Sequence, residues 1–235
     1  MTTSVSPHPN RIIASLSTEE QKRFLSNCEQ VKLAFGDILN EPGEKILHVY
    51  FPTDSFISLV MPMDGNPGLE VALIGDEGMH GILLLLGVET SQLHAVVQGS
   101  GAAWRMGTKI FQRELKRSVT LQQKLHFYTY VLMRQLAQTA ACNRFHLVEA
   151  RLARWLLMTR DRAHSDQFYI THEFLARMLG VRRSGVTKAA GSLQKMNLIH
   201  YSRGSIKILT SLGLEAASCS CYQSDKDIYA HILPY

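Results

Sequence analysis

The sequence has little cysteine, little tryptophan and no long apolar run. Its four cysteines, Cys28, Cys142, Cys219 and Cys221, are scattered apart from one Cys-Ser-Cys pair. That excludes a disulfide framework and offers no CxxC redox or zinc motif, so no metal site and no cofactor are expected. Gly75, Asp76, Glu77, Gly78 and His80 interrupt the apolar-rich residues 71–86. No stretch approaches the roughly 18 clean apolar residues of a spanning helix, and no membrane segment is expected. The N-terminus MTTSVSPHPN has no basic region followed by an apolar run. It does not read as a secretory signal, and the cytoplasm is the expected compartment. There is no GxSxG elbow, HExxH helix or P-loop, and the histidines and carboxylates form no obvious constellation, so an enzyme is not expected.

What is present describes an ordered chain. Apolar residues make up 46% and charged residues 19% of 235 positions, enough for one large domain or two small ones, each with its own core. The net charge of +5 is modest but unevenly spread. Residues 1–143 hold 12 Lys/Arg against 13 Asp/Glu, residues 144–210 hold 12 against 4, and residues 211–235 hold 1 against 3. The basic excess of the middle segment is what a surface facing phosphates needs. A solvated basic face is the bland alternative.

Residues 1–10 read as a loose arm. Residues 11–27 read as one helix or two, with Ser17 or Thr18 at a start and Glu20 in the first turn. Short β-prone runs then recur at 31–35, 45–51, 56–63, 69–74, 94–97 and 102–105, divided by turn signals such as Glu41-Pro42-Gly43. This cadence predicts a small sandwich or jelly roll. Five aliphatic residues between Gly81 and Gly87 read as a short buried helix or turn. A helical region begins over 108–116 and restarts near Ser118 or Thr120. Along it Leu121, Leu125, Tyr128, Leu132, Gln135 and Thr139 step by four and three, with Val131 and Leu136 widening the stripe. The spacing predicts a helix of roughly 30 Å that pairs with a second copy. Packing on its own sandwich is the alternative. Residues 144–160 predict another amphipathic helix, and residues 210–217 a short one. The remaining tail has no role that its pattern sets.

The densest pattern lies within residues 168–208. An apolar-periodic segment over 171–179 starts on Thr171 as N-cap and ends before Gly180. A second runs over about 183–196, with Val186, Ala190, Leu193 and Met196 at helical spacing. Asn197 breaks it, and two β-prone runs flank Ser202-Arg203-Gly204-Ser205. Helix, tight turn, helix and hairpin make a winged helix-turn-helix, whose second helix fits a DNA major groove. The exposed half of that helix would carry Arg182, Arg183, Ser184, Thr187 and Lys188. Arginine reads guanine through two parallel hydrogen bonds, and Ser or Thr bonds to bases or phosphates. Arg183 and Lys188 lead as base readers, while Arg203 and Lys207 on the hairpin approach the backbone. Thr171 and His172 would meet phosphate at the first helix's N-terminus. Gln194 and Lys195 read as outer contacts or plain surface.

This arrangement resembles the cyclic AMP receptor and fumarate–nitrate regulator (Crp/Fnr) family of bacterial transcription factors, over almost the whole chain and most closely over 171–208. The resemblance implies an α+β chain of four parts. A β-roll (jelly-roll) sensor domain spans 1–107, a dimerisation-helix region 108–143, a winged helix-turn-helix domain 144–212, and a tail 213–235. It implies a homodimeric, sequence-specific transcription regulator on a palindromic operator, with double-stranded DNA, RNA polymerase and an unidentified small-molecule effector as partners. By family likeness Arg183, Ser184 and Lys188 fall on base-contacting positions. Ser184 stands where the best-known members have glutamate. Cyclic-nucleotide-binding members grip the ribose with Gly-Glu and the phosphate with Arg-Ser or Arg-Thr before alanine. The matching stretches here, Gly78-Met79-His80-Gly81 and Leu93-His94-Ala95, lack both. No tight cyclic AMP binding is expected, because a buried phosphate without a cation is costly. Only Cys28 lies where iron–sulfur members cluster cysteines. His48, His80 and His94 are the haem-ligand candidates, each more simply a core or surface residue. A redox cue through Cys28 or Cys142 is a further reading of the input. The competing function is a β-roll ligand-binding or adaptor protein whose helix-turn-helix contacts protein.

Overall fold

The computed structural model describes residues 9–64 and 66–233; the expected arm lies, up to residue 8, outside them. Its contacts define two compact units. One is built on residues up to Leu59 together with Leu73–Leu132, the other on Val60–Ala72 together with Met133–His231.

In the first unit, α1 (Arg11–Ala14) starts on Asn10, whose Oδ1 accepts from the Ile13 amide. Its buried Nδ2 donates to the carbonyls of Pro52 and Gly78 at 3.0 and 2.8 Å, anchoring the chain start to the roll. Ser17 and Glu20 form a capping box for α2 (Thr18–Ser26), satisfying two amides reciprocally. The strands are β1 (Glu29–Leu33), β2 (Ile38–Asn40), β3 (His48–Pro52), β4 (Phe56–Met63), β5 (Asn66–Ile74), β6 (His94–Gly99) and β7 (Gly101–Gly107); residues 60–63 of β4 and 66–72 of β5 belong to the second unit. They form two sheets, ordered β1-β7-β3 and β2-β6-β4-β5. Val49, Phe51, Ile57, Ala95, Val97 and Ala103 are fully buried in this roll. The expected jelly roll is present, and β2, three residues long, is an addition. A 3₁₀ turn over Ile82–Leu86 sits between left-handed Gly81 and Gly87.

After α3 (Thr108–Arg117), Ser118 restarts the chain by accepting from the Leu121 amide at 3.0 Å. Helix α4 (Val119–Phe145) has 27 residues, about 40 Å and longer than expected. Leu121, Leu125, Tyr128, Val131, Leu132 and Gln135 are buried within the single chain, and Leu136 and Thr139 are half-buried. The Tyr128 hydroxyl donates to the Met79 carbonyl at 3.4 Å. Its ring occupies the space that a side chain at Gly78 would need. The stripe read as a pairing seam is thus the inward face of α4. Spacing gives a period, not the side that is turned in.

The second unit holds α5 (Val148–Ala163), β8 (Gln167–Tyr169), α6 (His172–Leu179), α7 (Arg183–Lys195), β9 (Ile199–Ser202), β10 (Ser205–Ile208), α8 (Ser211–Ala217) and α9 (Cys221–Ile232). The helix expected over 144–160 is broken, because Leu147 is extended (ψ 150°) and caps α5. Helix α5 buries three arginines. Arg151 donates to the Leu179 carbonyl at the end of α6. Arg154 pairs with Asp225 of α9 at 2.6 Å, and Arg162 donates to the Met158 carbonyl at 3.0 Å. The Trp155 indole donates to Glu70 at 2.8 Å. The tail, which had no assigned role, is a helix locked to α5 by a buried ion pair.

The cysteines are not scattered in space. Cys142, Cys219 and Cys221 are buried together, and only Cys28 stands apart. Burial, and then the Glu114 charge, pushes the Cys28 thiol up to about 12, which removes the thiolate a redox cue there requires. His80 is buried, its Nε2 has no hydrogen-bond partner, and burial pushes its imidazole down to about 4. A neutral ring is favoured, so the unfolded chain takes up a proton below about pH 6.5 that the folded chain refuses. Stability is complete above about pH 6.5 and falls as pH drops towards the folded value. At about pH 4.5 the loss from this group is about 2–3 kcal/mol. Urea denaturation of wild type and His80→Leu at about pH 7.5 and about pH 4.5 measures it; the variant is expected to lose less by about that amount.

Candidate nucleic-acid interface

Helices α6 and α7 are set by their ends. The Thr171 hydroxyl accepts from the Phe174 amide at 3.2 Å, capping α6. Gly180 closes α6 in the left-handed region (φ 61°), a conformation that costs an L-residue about 1–2 kcal/mol. A side chain there would also meet Leu69 at 2.7 Å. Helix α7 opens on Arg182 with extended backbone and no side-chain cap. Its first amides and the positive end of its dipole are therefore available to an anion.

Helix α7 divides cleanly. Val186, Ala189, Ala190 and Leu193 are buried and pack towards α5. Arg182, Arg183, Ser184, Thr187 and Lys188 are exposed. Arg203, Lys207 and Thr171 are exposed as well, the first two on the β9–β10 hairpin and the third at the start of α6. None of these five cations has a carboxylate partner among the described residues. Leaving five cations free does nothing for folding. It keeps their charge for an anionic partner.

Several polar residues hold the frame instead. The His172 ring stacks on Tyr201 with centroids 4.2 Å apart, and its Nδ1 lies 3.1 Å from the Thr187 hydroxyl. Burial, then the Arg183 charge, holds His172 below its ordinary value, favouring the neutral ring that the stack accommodates. The Thr187 hydroxyl also donates to the Arg183 carbonyl at 3.1 Å. Gln194 accepts from the Tyr201 amide at 2.8 Å, tying the hairpin to α7. His172 and Gln194, read from sequence as phosphate contacts or surface, thus brace the motif. Long-range pairings of this kind leave no periodic signal. The third strand of the wing, β8, pairs with β10, with Phe168 opposite Ile206.

The hairpin turn is two residues, Arg203 (φ 48°) and Gly204 (φ 85°), both left-handed. That is the geometry of a type I′ turn, which Asn-Gly or Gly-Gly fills without strain. An arginine there is held in a sparsely populated conformation, a state tolerated where the side chain has a task at the tip.

Residues 150–217 match a family model described as a Crp-like helix-turn-helix domain. No curated protein matches the chain at a significant level. Solved structures do. The c-di-GMP-responsive global regulator CLP of Xanthomonas campestris is 15% identical, with TM-score 0.67 over 83% of this chain and 100% of its own. FixK2 of Bradyrhizobium japonicum is 15% identical, with TM-score 0.67 over 82% and 98%. A CRP-family transcriptional regulator of Thermus thermophilus is 17% identical, with TM-score 0.67 over 80% and 96%. At these identities the likeness establishes the fold.

The turn supplies a test. Arg203→Asn relieves the left-handed strain and is expected to raise stability by about 0.5–1 kcal/mol in chemical denaturation. The same change is expected to weaken DNA binding and to lower the salt-dependence slope by about one, as for one lost phosphate contact.

Proposed function

We propose that this chain, which carries a Crp-like helix-turn-helix domain in the fold of CRP/FNR regulators, is a sequence-specific DNA-binding transcription regulator. It acts as a homodimer on a palindromic operator. The observation that carries the reading is the exposed face of α7, where Arg182, Arg183 and Lys188 stand without carboxylate partners beside Ser184 and Thr187. Arg183 and Lys188 read base edges, Ser184 and Thr187 supplement them, and Arg182, Arg203, Lys207 and Thr171 meet phosphates. The domain order is roll, long helix, winged helix-turn-helix and tail. RNA polymerase is the partner on the output side, the cytoplasm is the compartment, and the protein is not an enzyme.

The dimer seam is the outward face of α4. Phe127, Tyr130 and Met133 are 42, 49 and 63% exposed, and exposed Ala137 and Ala140 continue the three-four step from Tyr130 and Met133. Large apolar side chains repeating at that step are the pattern of a helix that pairs. Two copies so joined would place two α7 helices on two half-sites.

The roll is not a cyclic AMP receptor in this reading. His94 Nδ1 lies 2.6 Å from a carboxylate oxygen of Glu41, and His80 is buried, which favours its neutral ring. The guanidinium of Arg105 is held by Glu29 at 2.6 Å. Leu93-His94-Ala95, matched to the phosphate-gripping step, thus offers no arginine, and Gly78-Met79-His80-Gly81 offers no glutamate for the ribose; a buried phosphate without a cation is costly. The input is an unidentified small-molecule effector of other chemistry.

Selection of purified protein against a random duplex pool at near-physiological salt tests the function. Enrichment of a two-fold palindrome with half-sites about one helical turn apart is expected, and Arg183→Ala with Lys188→Ala is expected to abolish it. Binding that ignores both changes would favour the adaptor reading. For the seam, Tyr130→Glu with Met133→Glu is expected to give a folded monomer in sedimentation at micromolar concentration, with palindrome binding at least tenfold weaker. An unchanged dimer would move the seam elsewhere.

A further inference from the structure

Four side chains from two distant parts of the chain converge beside α5. Cys142 lies in the last turn of α4, and His146 lies four residues on, where its amide still bonds the Cys142 carbonyl at 3.1 Å. Residues four apart in a helical turn share a face. Cys219 and Cys221 bracket the corner between α8 and α9, with Cys221 the first residue of α9. The three Sγ atoms and one His146 nitrogen all lie within 4.8 Å of one another. Cys142 Sγ is 3.5 Å from Cys219 Sγ, and Cys221 Sγ is 3.5 Å from His146 Nδ1.

We propose that Cys142, His146, Cys219 and Cys221 bind one structural Zn²⁺ ion in a Cys₃His site. A tetrahedral zinc with Zn–S near about 2.3 Å and Zn–N near about 2.0–2.1 Å sets its ligand atoms about 3.5–3.8 Å apart. The Cys142–Cys219 and Cys221–His146 distances match that spacing, and the remaining pairs, all within 4.8 Å, would close up by side-chain shifts of about 1 Å or less. Four protein ligands leave no open coordination position, which is the form of a structural site rather than a catalytic one. Thiolate and imidazole donors suit zinc better than the hard cations.

The surroundings fit the charge of such a centre. Three thiolates and one divalent ion leave a single net negative charge. Arg151 and Arg154 are buried and close enough for their charges to act on these cysteines. Arg154 is already paired with Asp225. Arg151 has no carboxylate partner among the described residues, and its Nε has no hydrogen-bond partner. A buried guanidinium with only the Leu179 carbonyl as acceptor and no counter-charge is expensive, and an anionic metal centre beside it supplies that counter-charge. Gln138 donates from Nε2 to Cys221 Sγ at 2.8 Å, the kind of outer contact that orients a metal-bound thiolate. Three neutral thiols could instead serve as small apolar fillers. That alternative accounts for neither the inward imidazole nor the uncompensated Arg151. Bound, the ion would fasten the end of α4 to the corner from which α9 departs. Asp225 on α9 then reaches the buried guanidinium of α5.

The test uses the full chain, purified under reducing conditions without a polyhistidine tag. Elemental analysis is expected to give one zinc per chain. Replacement by Co²⁺ is expected to give tetrahedral d–d bands with thiolate-to-cobalt charge transfer. Titration with a thiol reagent is expected to find three thiols protected until a chelator is added. Cys28→Ser is expected to change none of this, and Cys219→Ser to abolish the cobalt charge-transfer intensity of one thiolate and weaken zinc binding. Gln138→Ala, which keeps all four ligands, is expected to weaken zinc about 10–100-fold at unchanged stoichiometry, so the proposal does not hang on a variant that fails to fold. Less than a tenth of a metal ion per chain even after anaerobic reconstitution overturns it. So does iron with acid-labile sulfide, or a Cys142–Cys219 disulfide that persists when zinc is supplied to the reduced chain.

Discussion

The C-terminal unit depends on the burial of α5. This helix is enclosed by α6, α7 and α8, and ten of its residues are buried, three of them arginines. Each buried guanidinium must find acceptors, because an uncompensated charge in low dielectric costs several kcal/mol. The solutions are also the joints of the unit. Arg151 closes the end of α6, and Arg154 draws in α9 through Asp225. The Asp225 carboxyl is pushed up by burial and opposed by the Arg154 charge, the balance of a buried pair whose partners are held by each other. A helix that turns three arginines inwards fixes its neighbours in register and orientation, as apolar packing alone does less specifically.

With α7 held by small and aliphatic residues on one face, its other face is free to stay basic. Val186, Ala189, Ala190 and Leu193 give close approach to α5, and the exposed residues between them contribute nothing to the core. The same division appears in the wing. Ile206 and Ile208 are buried while Lys207 between them is exposed, the period-two alternation of a half-buried strand. Arg203 at the turn adds backbone strain that folding does not reward. Cations without partners and a strained arginine lie on the same motif, so they point to a partner outside the chain.

Much of this was legible in the sequence because it depends on local chemistry. Thr171 and Gly180 mark the ends of α6 by capping and by a left-handed turn, and the spacing of Val186, Ala190 and Leu193 marks the inner face of α7. Glycine- and proline-rich turns divided the roll into strands, although β2 and β8 were missed; each has three residues and is defined by its partner strand. What local chemistry cannot report is which distant segments meet. The break at His146–Leu147, the docking of α9 through Asp225, and the bracing of Tyr201 by His172 and Gln194 all arise from tertiary contacts. The cysteines show this most plainly. Cys142 and His146 are four apart and Cys219 and Cys221 are two apart, neither of them a familiar metal spacing, and the four become one cluster only when α8 and α9 fold back onto the end of α4.

Helix α4 shows why periodicity misled. It is apolar around much of its circumference, and a helix of that kind is buried on more than one side. Leu121, Leu125, Tyr128 and Leu132 step by three and four along the face turned into the chain. Tyr130, Met133, Ala137 and Ala140 step by three and four along another, and Cys142 with His146 begins a third at its end. Both apolar registers satisfy a heptad reading, so sequence spacing cannot rank them. Burial can. The first set is consumed by the roll, which leaves Phe127, Tyr130 and Met133 as large apolar side chains facing water over nearly two turns. Exposure of that kind is costly for an isolated chain, at about 1 kcal/mol for each of these roughly half-exposed side chains that burial would otherwise hide. A partner along α4 would remove that cost, and in the proposed dimer a second copy presents the same stripe at the same spacing. In the proposed dimer the long helix serves the roll along one face and a second copy along another, which accounts for a sequence apolar in more than one direction.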